Sequence, residues 1–282
     1  MKKGFAILRR IMARVWPSKL KKWIYYPTWT ASWRDLPSKE CEPLIVKELL
    51  EDNSVFFDIG ANIGIFTFVA EQVIPSEHIY TFEPIPELFH RLKRTFPKVN
   101  VCSIALSDKT TSGVVFKIPI IKNRLFDTRG TLNVDYKEEG ETGFRNVSVN
   151  VSTLDDFLAN RDMRTPSLVK IDVEGHEFNV LKGAKRTIED HHPLLLVEIE
   201  QRHHSEPIQE IFDWLYDRSY QAFYLDFDGA EWKKLDVNVG DVQKKDLFKT
   251  QSYINNFLFI PDRSKALEKI HQLNERIRKS RK

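Results

Sequence analysis

Two stretches concentrate side chains that could do chemistry: Lys170-Ile171-Asp172-Val173-Glu174-Gly175-His176-Glu177 and Glu198-Ile199-Glu200-Gln201-Arg202-His203-His204. Each follows an apolar run and turns polar, as a buried strand does when it delivers functional groups at its carboxyl end. Side chains alternate along a strand, so Glu198 and Glu200 share a face. If the two strands are neighbours, carboxylates and imidazoles meet at one sheet edge, where they could take a proton from a weak acid. His203 is the first candidate base, ahead of Asp172, His176 and Glu198. Asp172, Glu174, Glu198 and Glu200 would also suit Mg²⁺ or Mn²⁺. Such acids more commonly pair with a cation such as Lys170 or Arg202, so no metal is expected.

A third stretch, Asp58-Ile59-Gly60-Ala61-Asn62-Ile63-Gly64, closes an apolar run and leads into a helical pattern. This is where an open α/β sheet binds a nucleotide-like ligand. A dinucleotide fingerprint places glycine at 60, 62 and 65, but Asn62 and Ile65 stand at the last two, which disfavours NAD. Asp58 beneath the loop would repel phosphate and attract a cation. S-adenosylmethionine fits, because it carries an ammonium and a sulfonium and has no phosphate. Glu83, at the end of the second strand, is placed to accept hydrogen bonds from both ribose hydroxyls. Ser107 and Asp108 close the third strand, and Asp108 could accept from an adenine amino group. The expected cofactor contacts are Asp58, Gly60, Asn62, Gly64, Glu83, Ser107, Asp108 and Asp172, the last of which could also orient the acceptor.

Positioning these groups requires strands that alternate with helices. Short apolar runs at 55–59, 78–82, 99–106, 168–173, 194–199, 220–225 and 253–260 read as strands. Helical patterns fall at 63–74, 86–96, 154–159, 177–189 and 207–218. The fold class is α/β, a sheet of seven strands with helices on both faces. Residues 114–151 break the alternation with period-two stretches around a polar loop, and read as a β-rich insertion near the ligand edge. The domain expected over 46–262 is flanked by basic segments at 1–45 and 263–282.

The chain has 282 residues, 41% hydrophobic and 29% charged, which excludes wholesale disorder. The net charge of +3 hides an asymmetry: residues 1–34 hold nine Lys or Arg and no acid, residues 263–282 carry a net +6, and the body between them carries −12. An acidic body argues against a nucleic-acid-coating domain. Residues 5–16 pattern as a basic amphipathic helix, either packed on the body or lying on an anionic membrane surface. Arg9 and Arg10 interrupt any signal-peptide core. With two cysteines, Cys41 and Cys102, a reducing compartment is the simpler reading. A cytoplasmic protein is expected, with contact at the inner membrane face through the basic ends as a variant.

Six motifs stand in the order seen in the FkbM family of S-adenosylmethionine-dependent methyltransferases, which the chain resembles over roughly residues 54–225. They are Asp58-Ile59-Gly60-Ala61-Asn62-Ile63-Gly64, Phe82-Glu83-Pro84, Ala105-Leu106-Ser107-Asp108, Ser152-Thr153-Leu154-Asp155, Lys170-Ile171-Asp172-Val173-Glu174-Gly175 and Glu198-Ile199-Glu200. Tyr253-Ile254-Asn255-Asn256-Phe257 is similar as well. The resemblance implies a Rossmann-like sheet whose last strand runs antiparallel. It also implies methylation of hydroxyl oxygens on sugars, glycolipids or other natural products. A nucleic-acid methyltransferase is the alternative, but Asn-Pro-Pro-Tyr or Asp-Pro-Pro-Tyr is absent after the fourth strand. A binding module without turnover is another.

Overall fold

The apolar runs become strands whose alternate residues feed two separate cores, one on each face of a single large sheet. A computed structural model describes residues 42–280, apart from 162, 249 and 251. The described strands are β1 (Phe56–Ile59), β2 (Ile79–Phe82), β3 (Asn100–Cys102), β4 (Ala105–Leu106), β5 (Thr111–Ile121), β6 (Arg124–Leu125), β7 (Glu141–Ser152), β8 (Leu168–Ile171), β9 (Leu194–Glu198), β10 (Tyr220–Asp226), β11 (Glu231–Lys234) and β12 (Asn256–Pro261). The described helices are α1 (Glu42–Leu49), α2 (Ile65–Ala70), α3 (Pro86–Thr95), α4 (Leu154–Ala159), α5 (Glu177–Gly183), α6 (Lys185–His191), α7 (Gln209–Tyr216), α8 (Val239–Val242) and α9 (Ala266–Ser280). The large sheet runs β11-β10-β12-β9-β8-β1-β2-β3. From β3 to β9 all neighbours are parallel, while β12 runs antiparallel to both β9 and β10.

Phe56, Leu168, Leu196 and Leu258 project into the core shared with α1, α2 and α9. Their strand neighbours Phe57, Val169, Leu195 and Phe257 project into the core shared with α4 to α7. Helices therefore cover both faces, and the antiparallel strand is present as the family resemblance implies. The expectation of seven strands is corrected to eight, because Glu231–Lys234 pairs antiparallel with β10 and extends the sheet. The expected strand at 99–106 is two: β3 stays in the large sheet, and β4 pairs with β7 in a second sheet of order β4-β7-β5-β6. Strands β5 to β7 of that second sheet are the insertion, beginning at Thr111, and their Phe116, Ile118 and Val149 close over Ile85 and Leu88 in a third, smaller core. The helix expected at 177–189 is interrupted at Ala184 and forms α5 and α6.

The expected segment boundary at 45/46 falls within α1, which buries Ile45, Val46 and Leu49 in the main core. The amphipathic helix read over residues 5–16 lies outside the described residues. In α9 the apolar stripe Ala266, Ile270, Leu273 and Ile277 is buried in the protein, so that stripe faces no membrane. Its basic residues Arg276 and Arg278 pair with Glu48 and Glu231 of the body. No helix among the described residues is long and apolar enough to cross a membrane.

Candidate active site

Strand register brings the functional residues to one level. Ile59 pairs with both Phe82 and Ile171, and Ile171 pairs with Val197. The following residues Gly60, Glu83 and Asp172 leave the sheet together at its carboxyl edge, while Glu198 at the same level is the last residue of β9, paired with Asn256. A cleft of about 590 Å³, partly open to solvent, covers this edge. Gly60, Asn62, Glu83, Asp172, Glu174 and His176 line it from the large sheet, and Phe116, Asp127 and Leu132 line it from the insertion.

Gly60 has φ +78°, and a Cβ there would stand 1.8 Å from the Asp172 carbonyl oxygen. A second left-handed residue, Asn62 at φ +50°, turns its backbone N–H onto Glu83 Oε2 at 2.9 Å. Gly64 lies beneath the cleft floor, packed against Leu92 and Phe96. Asp58 also stays beneath the loop and does not line the cleft. Its carboxylate accepts from Thr67 N at 2.9 Å and Thr67 Oγ1 at 2.6 Å, which ties α2 to β1. Burial raises Asp58 to about 6 against these hydrogen bonds.

Glu83 is 3% exposed, and each carboxylate oxygen accepts one backbone N–H, from Asn62 and from Ile85, both at 2.9 Å. Each oxygen keeps a further lone pair toward the cleft. Burial outweighs the two hydrogen bonds and pushes Glu83 up to about 7. A carboxyl whose pKa is raised on folding stabilises the native state below its unfolded value and loses that contribution as pH rises through the folded value. The ligand-free protein is therefore expected to lose stability between about pH 4.5 and pH 7, with Glu83 accounting for on the order of 3 kcal/mol. Urea titrations from pH 4 to 8 check this: Glu83→Gln should flatten the slope, leaving the part that belongs to the other raised carboxyls, Asp58, Asp172, Glu174 and Glu198. Identical slopes in parent and variant would reject it.

Ser107 and Asp108 do not line the cleft. Ser107 Oγ donates to Asp108 Oδ1 at 3.0 Å and contacts His176 Nε2 at 2.8 Å, and Asn179 reaches the same Asp108 oxygen at 3.4 Å. His176 does line it, with burial lowering its pKa.

Behind Asp172 lies Lys170, 1% exposed, whose Nζ stands 3.8 Å from Asp172 Oδ2, 3.1 Å from Asn256 Oδ1 and 5.1 Å from the centre of the Phe66 ring. Asn255 Nδ2 donates to Glu198 Oε1 at 2.8 Å, while Tyr253 donates to Glu200 at 3.3 Å. Burial raises Asp172 and Glu198, with Lys170 opposing it in both. Burial would raise Glu200 too, but Arg202, bound through Nε and Nη2, holds it below the usual carboxylate range. Of the four acids, Asp172 pairs with Lys170 and Glu200 with Arg202, while Glu198 is held by Asn255 and Glu174 faces His203.

His203 lies beside the cleft, away from its lining. It is 4% exposed, packed edge-on to Tyr136, and burial with Arg202 alongside lowers it to about 4, so the imidazole is neutral. Around it stand Glu174, raised to about 9 by burial and the Asp172 charge, and Glu138 from the insertion. Glu138 Oε2 is held by Arg129 at 2.8 Å and Arg202 at 3.3 Å. Glu138, Arg129, Tyr136 and Asp127 escape sequence reasoning. The polar loop that carries them was visible, but nothing in its pattern says which of its acids turns inward.

A profile for the methyltransferase FkbM domain matches residues 58–222. Over 162 residues the chain is 27% identical to the hexuronic acid methyltransferase AglP of Haloferax volcanii, covering 55% of this chain and 60% of that protein. Over 161 residues it is 29% identical to the 31-O-demethyl-FK506 methyltransferase FkbM of Streptomyces tacrolimicus, covering 48% and 61%. The chain thus spans about three fifths of the length of these two relatives. The crystal structure of methyltransferase FkbM from Methylobacillus flagellatus superposes with a TM-score of 0.45 at 17% identity, over 84% of this chain and 49% of that one. With its glycine loop, strand-end acids and antiparallel strand in place, and with more than half of its length matched by the family profile, the chain belongs to the FkbM methyltransferase family.

Proposed function

We propose that this protein transfers the methyl group of S-adenosylmethionine to a hydroxyl oxygen of a sugar, glycolipid or other natural product. The carrying observation is Glu83, buried at the cleft wall at the end of β2 and oriented through both oxygens by backbone N–H groups. A carboxylate so placed suits two adjacent ribose hydroxyls and opposes a phosphate. The similarity to a hexuronic acid methyltransferase and to a 31-O-demethyl-FK506 methyltransferase, the second named for an oxygen that lacks its methyl group, supports an oxygen acceptor.

When bound, the cofactor would supply an electrophilic methyl carbon on a sulfonium. An acceptor oxygen held against that carbon would form the C–O bond as the C–S bond broke, the electron pair staying on sulfur in the S-adenosylhomocysteine product. The hydroxyl proton goes to the enzyme. Asp172 takes it in this reading, because it lines the cleft at the sheet edge, whereas His203 lies behind that lining. Glu198 and Lys170 orient Asp172, and the loop at Gly60 to Asn62 shapes the cofactor wall. An oxygen nucleophile and a sulfonium lose charge separation as they react, so positioning and deprotonation are the enzyme's main tasks.

The test combines calorimetry with S-adenosylhomocysteine, NAD and NADP and methyl-labelled cofactor added to extracts fractionated into lipid, glycan and nucleic acid pools. Binding of the first ligand alone, with alkali-stable label in the glycan or lipid pool, is expected. Alkali-labile label would point to a carboxylate acceptor such as that of a hexuronic acid. Label in nucleic acid, or binding with no transfer to any pool, would overturn the hydroxyl reading.

A further inference from the structure

His203 Nε2 is a buried nitrogen without a hydrogen-bond partner, one of few such atoms among the described residues. It faces Glu174 Oε2 at 3.4 Å and Glu138 Oε1 at 3.9 Å, outside hydrogen-bond geometry in both cases. The three atoms lie within 4.8 Å of one another. A buried polar atom without a partner is costly, which makes an absent partner the natural reading.

Three separate elements bring these side chains together: the insertion loop, the turn after β8 and the turn after β9. Each is fixed by its surroundings. Arg129 and Arg202 hold Glu138 Oε2, and Arg202 also reaches Oε1, the oxygen that faces the imidazole, in a long contact of 3.5 Å. Glu174 adopts φ +52°, a conformation uncommon for a side-chain-bearing residue and frequent at functional turns. Gly175 follows at φ +91°, and a Cβ there would come within 2.8 Å of His203 Cβ. Two ligands about 2.1 Å from one ion at a tetrahedral angle stand about 3.4 Å apart. His203 and Glu174 already show that spacing, and Glu138 needs a closure of about 0.5 Å to match it.

We propose that His203, Glu138 and Glu174 form a binding site for one divalent transition cation, Zn²⁺ or Mn²⁺, beside the cleft, whose wall Glu174 lines. One imidazole and two carboxylates form a borderline-to-hard donor set, which suits these ions better than Mg²⁺. Three protein ligands leave coordination positions open. The role of the site rests on the methyltransferase reading: an acceptor hydroxyl in an open position would become more acidic and yield its proton to Asp172 more readily. This set differs from the acids weighed in the sequence, of which Asp172, Glu198 and Glu200 are engaged with Lys170, Asn255 and Arg202.

The experiment uses the full chain, stripped with a chelator and titrated with Zn²⁺ by calorimetry and with Mn²⁺ by electron paramagnetic resonance. One ion per chain is expected. His203→Gln, Glu138→Gln and Glu174→Gln should each weaken binding more than tenfold, and Glu198→Gln should leave it unchanged. X-ray absorption of the Zn²⁺-loaded protein should show an imidazole nitrogen among oxygen neighbours. No ion retained, parental affinity in the folded His203→Gln or Glu138→Gln protein, or loss of binding in Glu198→Gln overturns the site. A variant that fails to fold is read through the other two. S-adenosylhomocysteine is titrated into the same samples. Its binding without a metal sinks the cation site alone, and metal binding without it sinks the cofactor reading alone.

Discussion

Gly60→Ala is expected to lower the melting temperature by on the order of 10 °C and to abolish cofactor binding. Two separate effects combine. A methyl at this position would lie 1.8 Å from the Asp172 carbonyl oxygen, so β1 and β8 must separate at the level where the cleft begins. Forcing volume into packed structure costs about 1–3 kcal/mol or more. The backbone also holds φ +78°, which disfavours an L side chain by roughly 1–2 kcal/mol. At roughly 2–4 °C per kcal/mol for a domain of this size, the sum reaches the stated shift. Gly113→Ala is the control, because it shares a positive φ of +69° but its Cβ would meet nothing closer than 3.9 Å. Thermal melts of both decide the matter: if the two variants fall equally, backbone strain alone governs and the close approach to Asp172 is immaterial.

The second large effect is expected at Lys170→Met, which keeps much of the side-chain volume and removes the buried cation. Lys170 is 1% exposed and is the cation that stands against Asp172 and, less directly, Glu198. Removing one partner of a fully buried charged pair costs about 3–5 kcal/mol, but Asp172 is 32% exposed at the cleft, so water shares its charge and the loss expected here is about 1–3 kcal/mol. The double variant Lys170→Met with Asp172→Asn should recover part of this loss, since the uncompensated carboxylate goes as well. Denaturant unfolding of the four proteins in a cycle measures the coupling. Strictly additive losses would show that Lys170 contributes through packing on Phe66 and the hydrogen bond to Asn256, and that its charge is not what holds the edge together.

Much of this molecule is a local property of the chain. The alternation of apolar runs with helical patterns is enough to specify a parallel sheet with helices on both faces, since one residue of slip along any strand would exchange its two core faces. The positions of Gly60, Glu83 and Asp172 just past strand ends follow from the same pattern, because each comes after the apolar residue that closes its strand, and Glu198 ends β9 itself. Pairing of Asp172 with Lys170 and of Glu200 with Arg202 was legible too, as those cations lie within two residues of the acids they meet. Other features depend on contacts that have no local signature. The strand read over 99–106 divides because β4 finds a partner in β7, distant in sequence. Asp58, whose type suggests a ligand contact, turns under the loop to Thr67, and Asp108 is held outside the cleft by Ser107 and Asn179. His203 meets Glu138 only because the insertion folds back over the sheet edge. Its approach relies on Gly175, whose missing side chain leaves room for the Cβ and carbonyl of His203. Spacing along the chain determined which groups reach the edge. Tertiary packing decided which of them face the cleft, which are neutralised, and which nitrogen is left buried without a partner.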